Sequence, residues 1–174
     1  SATGGRYNPS ADTWVAMSTA NAPIGGPAVW TGTEMIVSGG SSPGGRYNPS
    51  TDTWVAVSTT NAPGAGPAVW TGTLMLVLSP DSTTAGRRYD PGSDVWTPMS
   101  KSGAPELSRY YSTVVWSGSE MILWGGQTTS LVDLNSGGKY NPTTDSWTLT
   151  STLNAPSARA RHAAVWTGSR MVVW

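Results

Sequence analysis

Arg6-Tyr7-Asn8-Pro9-Ser10-Ala11-Asp12-Thr13-Trp14 returns almost unchanged as Arg46-Tyr47-Asn48-Pro49-Ser50-Thr51-Asp52-Thr53-Trp54, and looser copies run from Arg88 to Trp96 and from Lys139 to Trp147. One structural unit therefore occurs four times along the chain. A period of roughly 40 to 50 residues belongs to a β-propeller or a solenoid. Function is then to be sought where the copies differ.

Outward from this string, a full unit reads as four short strands: Pro27 to Gly32, Glu34 to Ser38, Gly44 to Tyr47 and Asp52 to Val57. The first two meet at Thr31-Gly32, repeated as Thr71-Gly72, Ser117-Gly118 and Thr167-Gly168, where glycine allows the positive φ of a tight hairpin. The last two meet at Asn8-Pro9, Asn48-Pro49, Asp90-Pro91 and Asn141-Pro142, with proline fixing φ in the turn. Runs such as Ser112 to Trp116 and Met121 to Trp124 are apolar almost throughout, so both faces of the first two strands are expected to be covered. Asp12 to Met17 alternates more, as suits a strand nearer the rim.

Four-stranded antiparallel sheets packed radially satisfy this pattern and protect their edges. The expected fold is an all-β propeller of one domain, residues 1–174, with blades at 27–57, 67–99 and 112–150. The chain opens on the last two strands of a unit and closes on the first two. Residues 163–174 with 4–17 are therefore expected to make a fourth blade and seal the ring. The alternatives are part of a five- to seven-bladed ring, or two chains that complete one ring.

Composition narrows the function. The 174 residues carry ten Lys and Arg against ten Asp and Glu, so no basic footprint for nucleic acid exists. Cysteine is absent, which removes disulfides, thiolate chemistry and Cys-based zinc sites. No apolar run has the roughly 18 to 20 residues of a membrane-spanning helix, and Ser1 does not begin a charged-then-apolar signal segment, so a mature chain or a fragment is expected. Ten Trp and no Phe, with 21 Gly and 13 Pro, suit short strands and obligatory turns.

The Gly39-Gly40 and Gly125-Gly126 pairs, followed by the Tyr-Trp couples Tyr7/Trp14, Tyr47/Trp54, Tyr89/Trp96 and Tyr140/Trp147, resemble the kelch repeat. The Trp-Thr-Gly-x-x-Met segments look most like bacterial kelch proteins. Ser79-Pro80 departs from this pattern in place of Gly-Gly, and Trp30 to Trp70 spans 40 residues against 50 from Trp116 to Trp166. The resemblance implies a propeller and an extracellular or periplasmic setting. It implies no particular activity, because the fold hosts many. A kelch ring can house a copper radical oxidase, but the Tyr-Cys crosslink and paired histidines of that chemistry have no counterpart in a chain with no Cys and only His162.

In such a blade the loop after the second strand and the loop into the next blade share one face, and these are the variable segments. Early units place Pro23-Ile-Gly-Gly-Pro27 and Pro63-Gly-Ala-Gly-Pro67 there. Later ones place Glu106 to Tyr111 and Ser157 to His162. Arg109, Tyr110, Tyr111, Gln127, Arg159, Arg161 and His162 are thus the candidate binding residues, suited to an acidic peptide, an anion or a sugar. The competing expectation is that these Arg and His side chains bond loop carbonyls and serve the scaffold.

Leu131 to Leu134 in the long loop are expected either to touch a partner or to fold back as a cap. Asp12, Asp52, Asp94 and Asp145 read as turn-capping carboxylates rather than calcium ligands, and all ten tryptophans read as packing between sheets. No Gly-x-Ser-x-Gly elbow occurs, no catalytic residue or cofactor is assigned, and no metal site is expected. The leading expectation is a binding or scaffold module for a protein partner, as monomer or subunit. The alternatives are carbohydrate binding, acidic-sugar chemistry through Arg109, Arg159 and Glu106, or a structural part of a larger extracellular protein.

Overall fold

A computed structural model describes residues 3–40, 42–78 and 85–174. The protein is all-β, with no helix among these residues. β1 (Gly5–Asn8) and β2 (Thr13–Ala16) form a hairpin. The first complete sheet holds β3 (Ala28–Trp30), β4 (Met35–Val37), β5 (Gly45–Asn48) and β6 (Thr53–Ala56). The second holds β7 (Ala68–Trp70), β8 (Met75–Leu78), β9 (Gly86–Asp90) and β10 (Val95–Pro98). Between β11 (Arg109–Tyr110) and β14 (Gln127–Thr128) runs a short separate ladder. The third complete sheet holds β12 (Thr113–Trp116), β13 (Met121–Trp124), β15 (Gly137–Asn141) and β16 (Ser146–Leu149), and the described strands end with the hairpin of β17 (Ala164–Trp166) and β18 (Met171–Val173).

Three four-stranded antiparallel up-and-down sheets are therefore present, each in the expected strand order, as in a propeller-like fold. The turns form as their residues dictate. Gly32 adopts φ 104°, and the Thr31 hydroxyl accepts the Glu34 amide. At the other hairpin the Asn48 side chain accepts the Ser50 amide, an Asx turn in front of which Tyr47 pairs with Trp54.

Packing alternates across β8. Met75 and Val77 join Val29, Ile36, Tyr89 and Trp96 on one side, while Leu76 and Leu78 join Met121, Leu123, Tyr140 and Trp147 on the other. Both faces of β8 are thus covered by neighbouring sheets, which explains its continuous apolar sequence. The inner strands lie side by side in the order β3, β7, β12, β17.

Neighbouring sheets are joined by one repeated device. Trp54 donates its indole N–H to the Ser18 carbonyl at 3.0 Å, and the Ser18 amide donates to Asp52 at 3.1 Å. Trp96 and Asp94 treat Ser58 in the same way, as Trp147 and Asp145 treat Ser100. In all four units the Asp also accepts its own tyrosine hydroxyl, at 2.6–2.7 Å. Asp52, Asp94 and Asp145 thus tie one sheet to the preceding one, whereas in all four units the turn beside the aspartate, itself at φ 50–55°, is capped by Asn8, Asn48, Asp90 or Asn141. This corrects the expectation of a turn cap.

The ends differ from the expected closure. No ladder joins β1 to β18 among the described residues; the two terminal hairpins stand as separate two-stranded sheets. Trp14 is 71% exposed and Trp174 91%, against 2% for Trp96 and 5% for Trp147. The expectation that all ten tryptophans pack between sheets therefore fails at Trp14, Trp30 and Trp174, because no second sheet covers them. The Ser79-Pro80 departure lies outside the described residues.

Candidate binding site

The variable loops of the third sheet and the final hairpin are tied into one platform. β11 pairs with β14, setting Arg109 opposite Thr128 and Tyr110 opposite Gln127. The Gly126 amide donates to the Arg159 carbonyl, the Arg159 amide to the Leu134 carbonyl, and the Leu134 amide to the Gly126 carbonyl. Finally the Arg161 amide donates to the Tyr111 carbonyl at 3.0 Å. Three segments far apart in sequence are thereby laced through main-chain bonds, which need no side-chain signal.

Gly126 has φ 97°, and a Cβ there would strike the Tyr110 carbonyl and Ser112. Glycine is what lets the loops close to this distance.

Arg109 lies beneath the platform rather than on it. It is 5% exposed, and its guanidinium donates to the carbonyls of Glu106, Gly125 and Ser136 at 2.6–2.9 Å. Burial pulls its pKa down to about 10, partly opposed by Glu106, so the group is still charged at neutral pH. Only Nη2 lacks a partner among the described residues. Arg109 is thus placed as a clamp on three loop carbonyls.

His162 also faces inward. Its Nε2 lies 2.8 Å from the Thr113 hydroxyl, and its ring meets Trp124 edge-on at 5.2 Å between centroids. Burial, with the nearby Arg159 charge, depresses its pKa.

The other candidates sit at the surface. Tyr110 and Tyr111 are exposed, with ring centroids 6.4 Å apart, and the Arg161 guanidinium lies 3.9 Å from the Tyr111 ring centre. Such a contact is worth about 0.5–1 kcal/mol at an exposed position. Both Tyr111 and Arg161 occupy the left-handed region, at φ 55° and 57°, where the first complete unit has Gly25 at φ 72°. Bulky side chains held there carry a conformational cost that glycine avoids. Gln127 donates to the Asp133 carboxylate at 3.1 Å across the loop. Arg159 bends back onto Ser157, donating to its carbonyl and hydroxyl.

Leu131 and Val132 stand out into solvent, while Leu134 turns inward. The long loop therefore both caps and presents. Residues that the sequence did not single out complete the arrangement: Thr113 under His162, Ser136 under Arg109, and Asp133 against Gln127. Only the last carried a signal, a polar pair bracketing a turn.

Electrostatically the surface is mixed. Arg159 and Arg161 lie on the same platform as Asp133, and the Glu106 carboxylate accepts the Ser108 amide. The arrangement offers aromatic faces, one stacked guanidinium and apolar tips, a combination suited to recognition. No model of a known protein family matches the chain, and no curated protein matches it.

Proposed function

We propose that the protein is a non-enzymatic binding or scaffold module of the kelch-propeller type that holds a protein partner on its variable-loop face. The observation that carries this reading is the placement of Ile24, Tyr110, Tyr111, Leu131, Val132 and Leu153, all exposed and all on variable loops. Exposed aromatic and aliphatic groups beside a stacked arginine have the composition of interface hot spots. The laced backbone beneath them limits the ordering cost of association. An extracellular or periplasmic setting belongs to the same reading and rests on the resemblance to secreted bacterial kelch proteins.

The test is affinity capture with the intact chain and with a Tyr111→Ala, Leu131→Ala, Arg161→Ala variant, followed by crosslink mapping. A specific partner should be lost from the variant, whose thermal unfolding should change little, and crosslinks should fall on residues 106–111, 127–134 and 157–162. Retention of the partner by the variant, or crosslinks on the Thr-Gly and Asn-Pro turns, would overturn the proposal. The second reading, a glycan ligand, draws on the adjacent Tyr110 and Tyr111 rings beside Arg161. Binding on a glycan array that the same variant abolishes would favour it.

A further inference from the structure

On the hairpin-turn face, at the opposite end of the strands from the loop platform, the first and second complete sheets border a cleft of about 310 Å³. One side is the Thr31–Glu34 turn with Arg46 of β5, and the other is the Pro91-Gly92 turn. Between them Trp70 of β7, half-buried, supplies an aromatic wall. Both bordering sheets are complete, so the cleft belongs to an interior junction. Its volume lies at the small end of the roughly 300–1,000 Å³ of ligand clefts, room for a single ring.

The carboxylate sets this junction apart from the next. Arg46 holds Oε2 of Glu34 through Nε at 2.9 Å and Nη2 at 2.8 Å, while its Nη1 donates to the Pro91 carbonyl at 2.8 Å. Both contacts fall on Oε2, so Oε1 has no protein partner among the described residues. Elsewhere the equivalent arginine reaches the aspartate of the following sheet, Arg6 to Asp52 at 3.9 Å and Arg88 to Asp145 at 3.6 Å. Arg46 turns to Glu34 instead. In the third sheet Glu120 and Lys139 make a looser pair, at 3.6 Å.

The scaffold does not require a carboxylate at this point. In the second sheet Leu74 stands there, and both it and Trp116 pack against the core. A partly buried ion pair adds little to stability over apolar groups of similar size. The first junction therefore holds a fixed, half-satisfied carboxylate beside an indole where the second has hydrocarbon.

We propose that this cleft binds one ring of a neutral sugar. The C–H face of a pyranose carries slight positive charge and lies against the negative face of the Trp70 indole. Its hydroxyls find a charged acceptor in Glu34 Oε1 and groups that can donate or accept in the Thr31 and Thr33 hydroxyls, which lie 3.3 Å apart. Other ligand classes fit worse. An anion meets the Glu34 carboxylate, on which the guanidinium of Arg46 is already engaged. A cation finds a single carboxylate that Arg46 neutralises, too few oxygens for a metal ion. A wholly apolar ligand would cover Oε1 and leave it unpaired.

The probes are the methyl glycosides of glucose, galactose and mannose, titrated into the isotope-labelled intact chain and followed by NMR. A single ring in so open a cleft should bind with a Kd of about 1 mM. The Trp70 indole N–H resonance, identified by its absence from a Trp70→Phe spectrum, should shift with at least one glycoside, while those of the buried Trp124 and Trp147 stay in place. Glu34→Leu introduces the residue that the second sheet carries at this position, so the fold is kept. It should weaken binding roughly 10- to 100-fold, as loss of hydrogen bonds to a charged acceptor does. Thr33→Val, on an exposed turn, should weaken it roughly 5-fold.

The Tyr111→Ala, Leu131→Ala, Arg161→Ala variant should bind the glycosides as the unsubstituted chain does, which separates this cleft from the loop face. No Trp70 shift with any glycoside at about 20 mM would overturn the proposal. Unchanged affinity in Glu34→Leu or Thr33→Val, or loss of binding in the loop-face variant, would do the same. A preference for methyl glucuronide over methyl glucoside would also refute it, because the ligand would then carry a charge that Glu34 repels.

Discussion

Replacing Trp147 by Phe tests whether the repeated junction holds the sheets together. Trp147 is almost wholly buried against the second sheet and donates its indole N–H to the Ser100 carbonyl at 3.0 Å. Phenylalanine keeps the ring contact with Tyr140 but removes the donor, a loss of about 1 kcal/mol. It also leaves roughly 40 Å³ unfilled, which at about 24 cal/mol per Å³ costs roughly another 1 kcal/mol. The sum is about 2 kcal/mol, and with a urea slope near 2 kcal/mol/M the midpoint should fall by about 1 M. Trp14→Phe is the internal control, because the residue type, the repeat position and the tyrosine neighbour are the same while the ring is open to solvent. Its midpoint should not move. Equal shifts for both substitutions would mean that the N-terminal hairpin is packed like an interior sheet, and the reasoning would fail.

Acid should loosen the junctions. Burial alone would raise the Asp145 carboxyl, but the Ser100 amide, the Tyr140 hydroxyl and Arg88 together hold its pKa below the usual value. A carboxyl depressed by folding stabilises above about pH 4 and loses that contribution as pH falls through the folded value. Asp145→Asn should therefore flatten the decline of the urea midpoint between about pH 5 and 2. His162, with a folded pKa lowered by burial and Arg159, stabilises fully above about pH 6.5 and less as pH falls below it, so His162→Gln should reduce the slope between about pH 7 and 5. Gly126→Ala should cost roughly 1–3 kcal/mol in the same assay. Gly118→Ala, at a similar φ but with open space around the added methyl, should cost less.

The strand pattern was legible because each local signal agreed with its neighbours. Thr-Gly and Asn-Pro set the turns, and continuous apolar runs marked strands covered on both faces. The aspartates were misread because their amide partners lie 34 to 45 residues away, beyond the reach of turn chemistry. Equivalent tryptophans could not be ranked by burial, since burial belongs to the neighbouring sheet and not to the residue. The platform was half legible. Its composition pointed to loops that main-chain bonds do bring together, but nothing local distinguishes Arg109, drawn under by three carbonyls, from Arg161, laid over a tyrosine ring.

The uniform junction has a consequence for how such a chain can change length. At each of three successive junctions a serine amide and carbonyl are bonded by the aspartate and tryptophan of the following sheet. Stability is then a sum of unit terms and nearest-neighbour couplings, as in a linear array. An in-frame duplication of residues 27–66 would enter with both of its couplings already satisfied. Gain or loss of a whole unit is thus a smaller perturbation than the single substitution of a junction tryptophan, and the number of units can drift while the joint between them stays fixed.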